Sequence, residues 1–263
     1  MHSFLYFILN SEVIKYLSPL EILAVIVASL GHDVGHPALT NRYLVNTRDI
    51  LATQYNDLSV LENMHCFLIF NLLNSPNCNI FQYLENSDWV SVRRLIIEMV
   101  LETDMSKHFE ILSKFRTRAI MLSDLNVIED KSTILSMGLK CADIGHSAKD
   151  TDLHIRWTGL VSEEFFAQGE MEKKQNLPVS MYCDRQTTDV AKSQIGFIKN
   201  ICLPLYEVWC KYLDSQVLEK TVLEQMKNNL AYWEKKKKKR IGTEINKIEG
   251  FTAIQVKRRQ SEN

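Results

Sequence analysis

Apolar residues along this chain recur mostly at helical spacing, and residues that force turns are sparse. Ser18-Pro19-Leu20-Glu21 combines an N-cap hydroxyl, a proline at the first helical position and a glutamate at the third, so a helix is expected to begin at Pro19. The run Ile22 to Leu30 is apolar almost all round, the pattern of a helix buried in the middle of a bundle, and it ends at Gly31 just before His32-Asp33. Pro37 to Asp57 reads as loop. Ser59 to Leu73 returns to helical periodicity, and Asn74-Ser75-Pro76-Asn77 breaks it. A strong helix is expected over about Trp89 to Asp104, with Leu95, Ile96, Met99 and Val100 on one side and Arg94 and Glu98 paired on the other. Further helices are expected at about 131–144, 153–168, 187–201 and 205–230, and there is no internal repeat.

Composition supports an all-α fold. The chain has 263 residues, 46% of them hydrophobic, enough for a substantial core, and its nine glycines and five prolines are too few for short strands joined by tight turns. The six cysteines form no C-x-x-C pair and no zinc-finger spacing, so a reduced, intracellular and cytoplasmic setting is expected. Ile22 to Leu30 is too short to span a bilayer, and any membrane attachment would come from segments outside this chain. Residues 235–263 hold ten Lys or Arg against three Glu, a net of +7, leaving −8 on the preceding 234 residues of a chain whose total is −1. This divides the chain into a body, 1–234, and a basic tail, 235–263, expected to be disordered. The run Lys235 to Arg240 lacks aromatic interleaving, which argues against a nucleic-acid partner.

An apolar helix that delivers a histidine and an aspartate side by side is chemically unusual, because a desolvated carboxylate needs a compensating cation or hydrogen-bond network. Imidazole suits zinc, and a carboxylate can bridge to a harder ion such as magnesium. The dipeptide alone is common. Around it, His36 follows His32 by four residues, Glu62 and His65 lie three apart on an expected helix, and Asp104 and Asp143 close other helical segments.

The strings His32-Asp33-Val34-Gly35-His36-Pro37, Tyr55 to His65, Glu102-Thr103-Asp104-Met105-Ser106 and Cys141-Ala142-Asp143 resemble successive signatures of the class I cyclic-nucleotide phosphodiesterases. So do Trp157-Thr158, Glu163 to Phe166 and Lys192 to Ile198, in an order and spacing that match from about residue 20 to about 233. The resemblance implies a compact, multi-helix domain with two divalent metals, zinc and magnesium or manganese, and hydrolysis of cAMP or cGMP to the 5′-monophosphate. It implies that His32, Asp33 and Asp143 are metal ligands. It makes His36, Glu62, His65, Thr103 and Asp104 residues that hold waters and orient reacting groups, Gln194 the purine-reading amide, Phe197 the stacking wall, and Val161 and Phe165 the opposing apolar jaw. A homodimer is a further partner it admits.

The chain departs from the family pattern in places. The family carries an H-N-x-x-H-A-x-D motif upstream of the His-Asp pair, which supplies a general-acid histidine and a further metal ligand. This chain has no such motif, and Met1 to Leu9 matches the segment just after it. The expectation is an N-terminally truncated catalytic domain, with a catalytically impaired nucleotide-binding or dimerising module as the alternative. A different His-Asp metallohydrolase would keep the metal chemistry but not the purine clamp of Lys192 to Ile198. Gly35 stands at a commonly acidic position, Ala38 at a usual glycine, Tyr182 at a frequent methionine, and His146 where cAMP-selective relatives often have asparagine.

Overall fold

A computed structural model describes residues 1–121 and 131–238, with no strand among them. The helices are α1 (His2–Leu9), α2 (Pro19–Gly31), α3 (Asn41–Asn46), α4 (Ile50–Gln54), α5 (Val60–Leu73), α6 (Asn86–Leu101), α7 (His108–Met121), α8 (Lys131–Asp143), α9 (Thr151–Lys174), α10 (Val190–Phe197), α11 (Leu203–Leu213) and α12 (Gln216–Leu218). The body is all-α, as its patterning requires. Beyond α12 the helix continues through a π turn, Glu219–Leu223, and on to 238, four residues into the segment read as tail; residues 239–263 lie outside the described residues.

Helix α2 starts where its capping signal says it should. The Ser18 side chain accepts from the Glu21 backbone N–H, and the Glu21 carboxylate accepts from the Ser18 N–H at 2.7 Å. Glu21 also pairs with Lys131 at 3.0 Å, tying the start of α2 to the start of α8. Helix α2 is not, however, the middle of the bundle. It buries one face, Ala24, Val25, Ala28 and Ser29, while Leu30 is 66% exposed. The central helix is α8, in which every residue from Ile134 to Cys141 is buried. Around it pack α1, α6, α7 and α11. Gly138 lets α1 come this close, since a Cβ there would lie 2.4 Å from the Phe4 ring.

On α6 the residues Ile96, Met99 and Val100 are fully buried, and Arg94 pairs with Glu98 at 3.2 Å on the outer side. Helix α7 went unanticipated, because its apolar positions are diluted by Lys, Arg and Glu. The stretch from Pro37 to Asp57, expected as loop, holds α3 and α4. Each is capped by a side chain, from Thr40 and Asp49, and Tyr43, Leu44 and Ala52 form a second, smaller core with Val60, Leu61 and Met64 of α5. Helices α10 and α11 form one continuous rod through the π turn Ile198–Cys202. The gap expected between about 201 and 205 is absent, with Pro204 falling in the first turn of α11 just past the widened turn. The real interruption is Asp214, in the left-handed region at φ +46°.

All six cysteines are free thiols. Cys78, in the turn after α5, is exposed, and the other five are buried. Burial pushes the thiols of Cys66, Cys202 and Cys210 up to about 12 and that of Cys183 to about 11.

Candidate metal centre and base clamp

The end of α2 delivers His32 and Asp33, and the end of α8 delivers Asp143. His32 Nε2 lies 3.2 Å from Asp143 Oδ1 and 3.3 Å from Asp33 Oδ2. One donor atom from each of the three falls within 4.8 Å of the others, a grouping that could hold a metal ion. His32 Nδ1 faces the Ser29 carbonyl oxygen at 3.2 Å, so in the neutral ring Nδ1 carries the proton and the Nε2 lone pair points at two carboxylates. Three acceptors facing one another call for a cation between them. In its absence the ring takes up a proton: burial lowers the pKa of His32, but the hydrogen bonds and charges of Asp143 and Asp33 outweigh it and raise it to about 10. Nitrogen with two hard oxygens, and a backbone acceptor on the other ring nitrogen, fits a divalent cation such as zinc or magnesium. Contrary to the buried setting expected from α2, both carboxylates are exposed, because they lie past the helix end rather than along its apolar face.

Histidines 36 and 65 stand beside this group. His65 is buried, its Nδ1 donates to the Val34 carbonyl at 2.7 Å, and its Nε2 lies 3.9 Å from Asp33 Oδ1. Burial lowers its pKa, so the ring is neutral and Nε2 offers a lone pair. The His36 ring lies 5.7 Å from that of His65, and its Nδ1 accepts from the Ala38 N–H at 3.0 Å. The loop that carries His36 is tight: Gly35 has φ +74° and Ala38 has φ +58°, so alanine occupies a left-handed position that favours glycine.

Glu62 and Asp104 are held by side chains the sequence reading passed over. Asn41 of α3 donates to Glu62 at 2.8 Å and accepts from the Leu61 N–H, while Ser59 donates to Asp104 at 2.8 Å. Burial raises the pKa of Glu62, and for Asp104 the donors Ser106 and Ser59 outweigh burial and lower it. Thr103, just past the end of α6, is buried and donates to the Val100 carbonyl in the last turn of that helix. Lys140, fully buried on α8, directs its ammonium at the carbonyls of Glu102, Thr103 and Asp104, at 3.0, 3.4 and 3.3 Å. It thereby fastens the end of α6 to the helix that carries Asp143. No pattern in the sequence marks it, since lysine is ordinarily a surface residue.

Gln194 and Phe197 lie on α10, and Val161 and Phe165 on α9. Thr158 Oγ1 approaches Gln194 Oε1 at 3.4 Å, which joins the two helices. The Phe197 ring lies 6.0 Å from that of His146, within 9° of parallel.

Together these features define an all-helical protein whose helix ends converge on a cation-attracting His-Asp group. The family model for 3′,5′-cyclic nucleotide phosphodiesterase matches residues 1–226, and the chain belongs to that family. It is 40% identical over 222 residues to 3′,5′-cyclic-AMP phosphodiesterase 4C of Rattus norvegicus, covering 82% of this chain and 41% of the relative. It is 39% identical over 213 residues to cGMP-specific 3′,5′-cyclic phosphodiesterase alpha of Plasmodium falciparum, covering 80% of this chain and 22% of the relative. Among solved structures, the phosphodiesterase domain of Salpingoeca rosetta rhodopsin phosphodiesterase is similar with a TM-score of 0.82 at 31% identity, over 88% of this chain and 70% of that one. The chain thus spans less than half the length of these curated relatives. No helix among the described residues is long and apolar enough to cross a membrane.

Proposed function

We propose that this chain carries catalytic machinery for hydrolysing a 3′,5′-cyclic nucleotide, cAMP or cGMP, to the 5′-monophosphate in cyclic-nucleotide signalling. The observation that carries this reading is the convergence of His32 Nε2 with oxygens of Asp33 and Asp143. These three residues would hold a divalent cation, zinc with magnesium or manganese alongside, and the family's named members are phosphodiesterases. Bound there, metal ions supply positive charge that offsets the phosphoryl oxygens and makes water acidic enough to react near neutral pH. In the reaction, water adds across the P–O3′ bond: its hydroxyl goes to phosphorus and its proton ends on the 3′ oxygen.

The chain's own groups bind and orient. His65, fixed by Val34, turns a lone pair toward Asp33 and can accept a proton from water there. Glu62 and Asp104, positioned by Asn41, Ser59 and Lys140, order further waters at the same end. Gln194 and Phe197 take the purine, and Val161 and Phe165 of α9 supply the opposing apolar jaw. The test is turnover of cAMP and cGMP by the full chain with zinc and magnesium or manganese supplied, read as 5′-monophosphate formed. Metal and nucleotide binding without turnover would overturn the hydrolytic reading in favour of an impaired binding module.

A further inference from the structure

Two polar side chains of α9, Gln168 and Glu172, are 2% and 1% exposed. They lie four residues apart and so share one face of the helix, with Gln168 Nε2 3.0 Å from Glu172 Oε1. At one end of the pair the Thr40 N–H points at Gln168 Oε1 at 2.9 Å. At the other end the Ser180 N–H points at Glu172 Oε2 at 2.7 Å, and the Ser180 hydroxyl lies 2.6 Å from Oε1. Both ends are backbone N–H groups, which can only donate. The Gln168 amide must therefore turn its oxygen to Thr40 and its NH2 to Glu172, and Glu172 accepts at both oxygens. A carboxylate suits this arrangement because it brings no N–H of its own.

The two ends belong to different parts of the molecule. Ser180 is in the loop between α9 and α10, whose backbone also rests on α9 at Gly169, where a Cβ would meet the Cys183 carbonyl oxygen at 1.9 Å. Thr40 is the N-cap of α3: its hydroxyl accepts from the Tyr43 N–H, and the next residue, Asn41, donates to Glu62 and accepts from the Leu61 N–H. A second tie, from Gln175 Nε2 to the Tyr43 hydroxyl at 2.8 Å, holds α3 to the chain just past the end of α9. We propose that Gln168 and Glu172 are positioning residues for hydrolysis: the Glu172 carboxylate fixes the orientation of the Gln168 amide, and that amide fixes the start of α3, from which Asn41 holds Glu62. This rests on reading Glu62 as a residue of the hydrolytic site. The pair acts through Asn41 and not on the substrate.

Donors and acceptors in the pair can be exchanged with little change of shape, and the exchange supplies the test. In Glu172→Gln the new carbonyl oxygen stays with the Ser180 N–H, so the new NH2 faces that of Gln168. Turning the Gln168 amide to relieve this sets an NH2 against the Thr40 N–H, so two donors oppose each other at one place or the other. For the full chain with zinc and magnesium supplied, Glu172→Gln should lower kcat for cAMP or cGMP about tenfold, the lower end for a partner that orients groups at a metal site. KM should change less than about threefold, because Glu62 orders water and does not bind the base. Gln168→Leu should do the same. The double variant Gln168→Glu, Glu172→Gln restores a matched set, in which position 168 accepts from both Thr40 and position 172. It should recover most of the lost kcat, and the Thr40 N–H should regain the slow hydrogen exchange lost in Glu172→Gln. Should the native chain hydrolyse neither nucleotide, the hydrolytic reading fails by itself, and the pair is judged on the Asn41 side-chain amide signals in ¹H–¹⁵N spectra. These should shift in Glu172→Gln and return in the double variant. Should a single variant not fold, a double variant that folds with the Thr40 N–H protected supports the proposal. Native kcat in folded Glu172→Gln and Gln168→Leu, a double variant no better than the singles, or Asn41 signals unmoved throughout would overturn it.

Discussion

Replacing Asp143 with alanine is expected to lower kcat/KM for cyclic-nucleotide hydrolysis by about 10³-fold or more. Among the described residues the carboxylate is one of two that face His32 Nε2, and without it the group keeps one imidazole and one carboxylate. Two donors from adjacent residues hold a divalent cation poorly, and charge stabilisation by a metal is worth several kcal/mol, with each ~1.36 kcal/mol a factor of about ten in rate. The fold should survive, since Asp143 is exposed at the end of α8 and the packed face of that helix ends at Cys141. The wild-type chain should show a rise in Tm on adding zinc or manganese, and the variant should lose it while its far-ultraviolet circular dichroism stays the same. Activity within tenfold of wild type at saturating metal would exclude Asp143 as a ligand.

The second large effect concerns acid. Histidines 108 and 146 are held at about 4 against an ordinary 6.5, and His154 is lowered as well, in each case chiefly by burial. His108 is 1% exposed, and neither ring nitrogen has a partner among the described residues. Between pH 6.5 and 4 the unfolded chain binds protons that the folded chain refuses, so stability falls as pH falls through that window. A depression from 6.5 to about 4 corresponds to about 3 kcal/mol for His108 once the window has been crossed, a large share of a typical stability. In the metal-free protein His32 acts in the opposite sense: its pKa is raised, so its contribution is fully present below about 6.5 and is lost as pH rises toward 10. Thermal melts of the metal-free chain should therefore drop steeply from pH 6.5 to 4. His108→Leu should flatten that slope and leave stability near pH 7 equal or higher, because it removes an unpaired polar ring from the core. A Tm independent of pH over the window would contradict the burial assigned to these rings.

Local signals in the sequence were strong where one residue type has one physical use. The capping pattern at Ser18 placed the start of α2, and the apolar spacing of Ile96, Met99 and Val100 placed the buried face of α6. Burial all round was harder to read, because α2 is the more apolar of the two helices, yet α8, with two lysines and an aspartate, is the one its neighbours enclose. Short helices such as α3 and α4 carry too few turns to show a period, and their stability comes from the core they share with α5. The His32, Asp33 and Asp143 group was legible through family resemblance, although nothing in the spacing alone brings residue 143 beside residue 32. Lys140 and the Trp233–His154 hydrogen bond were not legible. A lysine directed at backbone carbonyls and an indole N–H donating to a histidine 79 positions away are properties of packed geometry, with no local sequence mark.

The distribution of thiols has a practical consequence. Five of the six are buried, and burial suppresses their thiolates, so exposed Cys78 is the preferred address for a maleimide fluorophore or nitroxide on the native chain. Because it follows α5, the helix that carries Glu62 and His65, a label there would report on that helix as metal or nucleotide is added, with no cysteine removed.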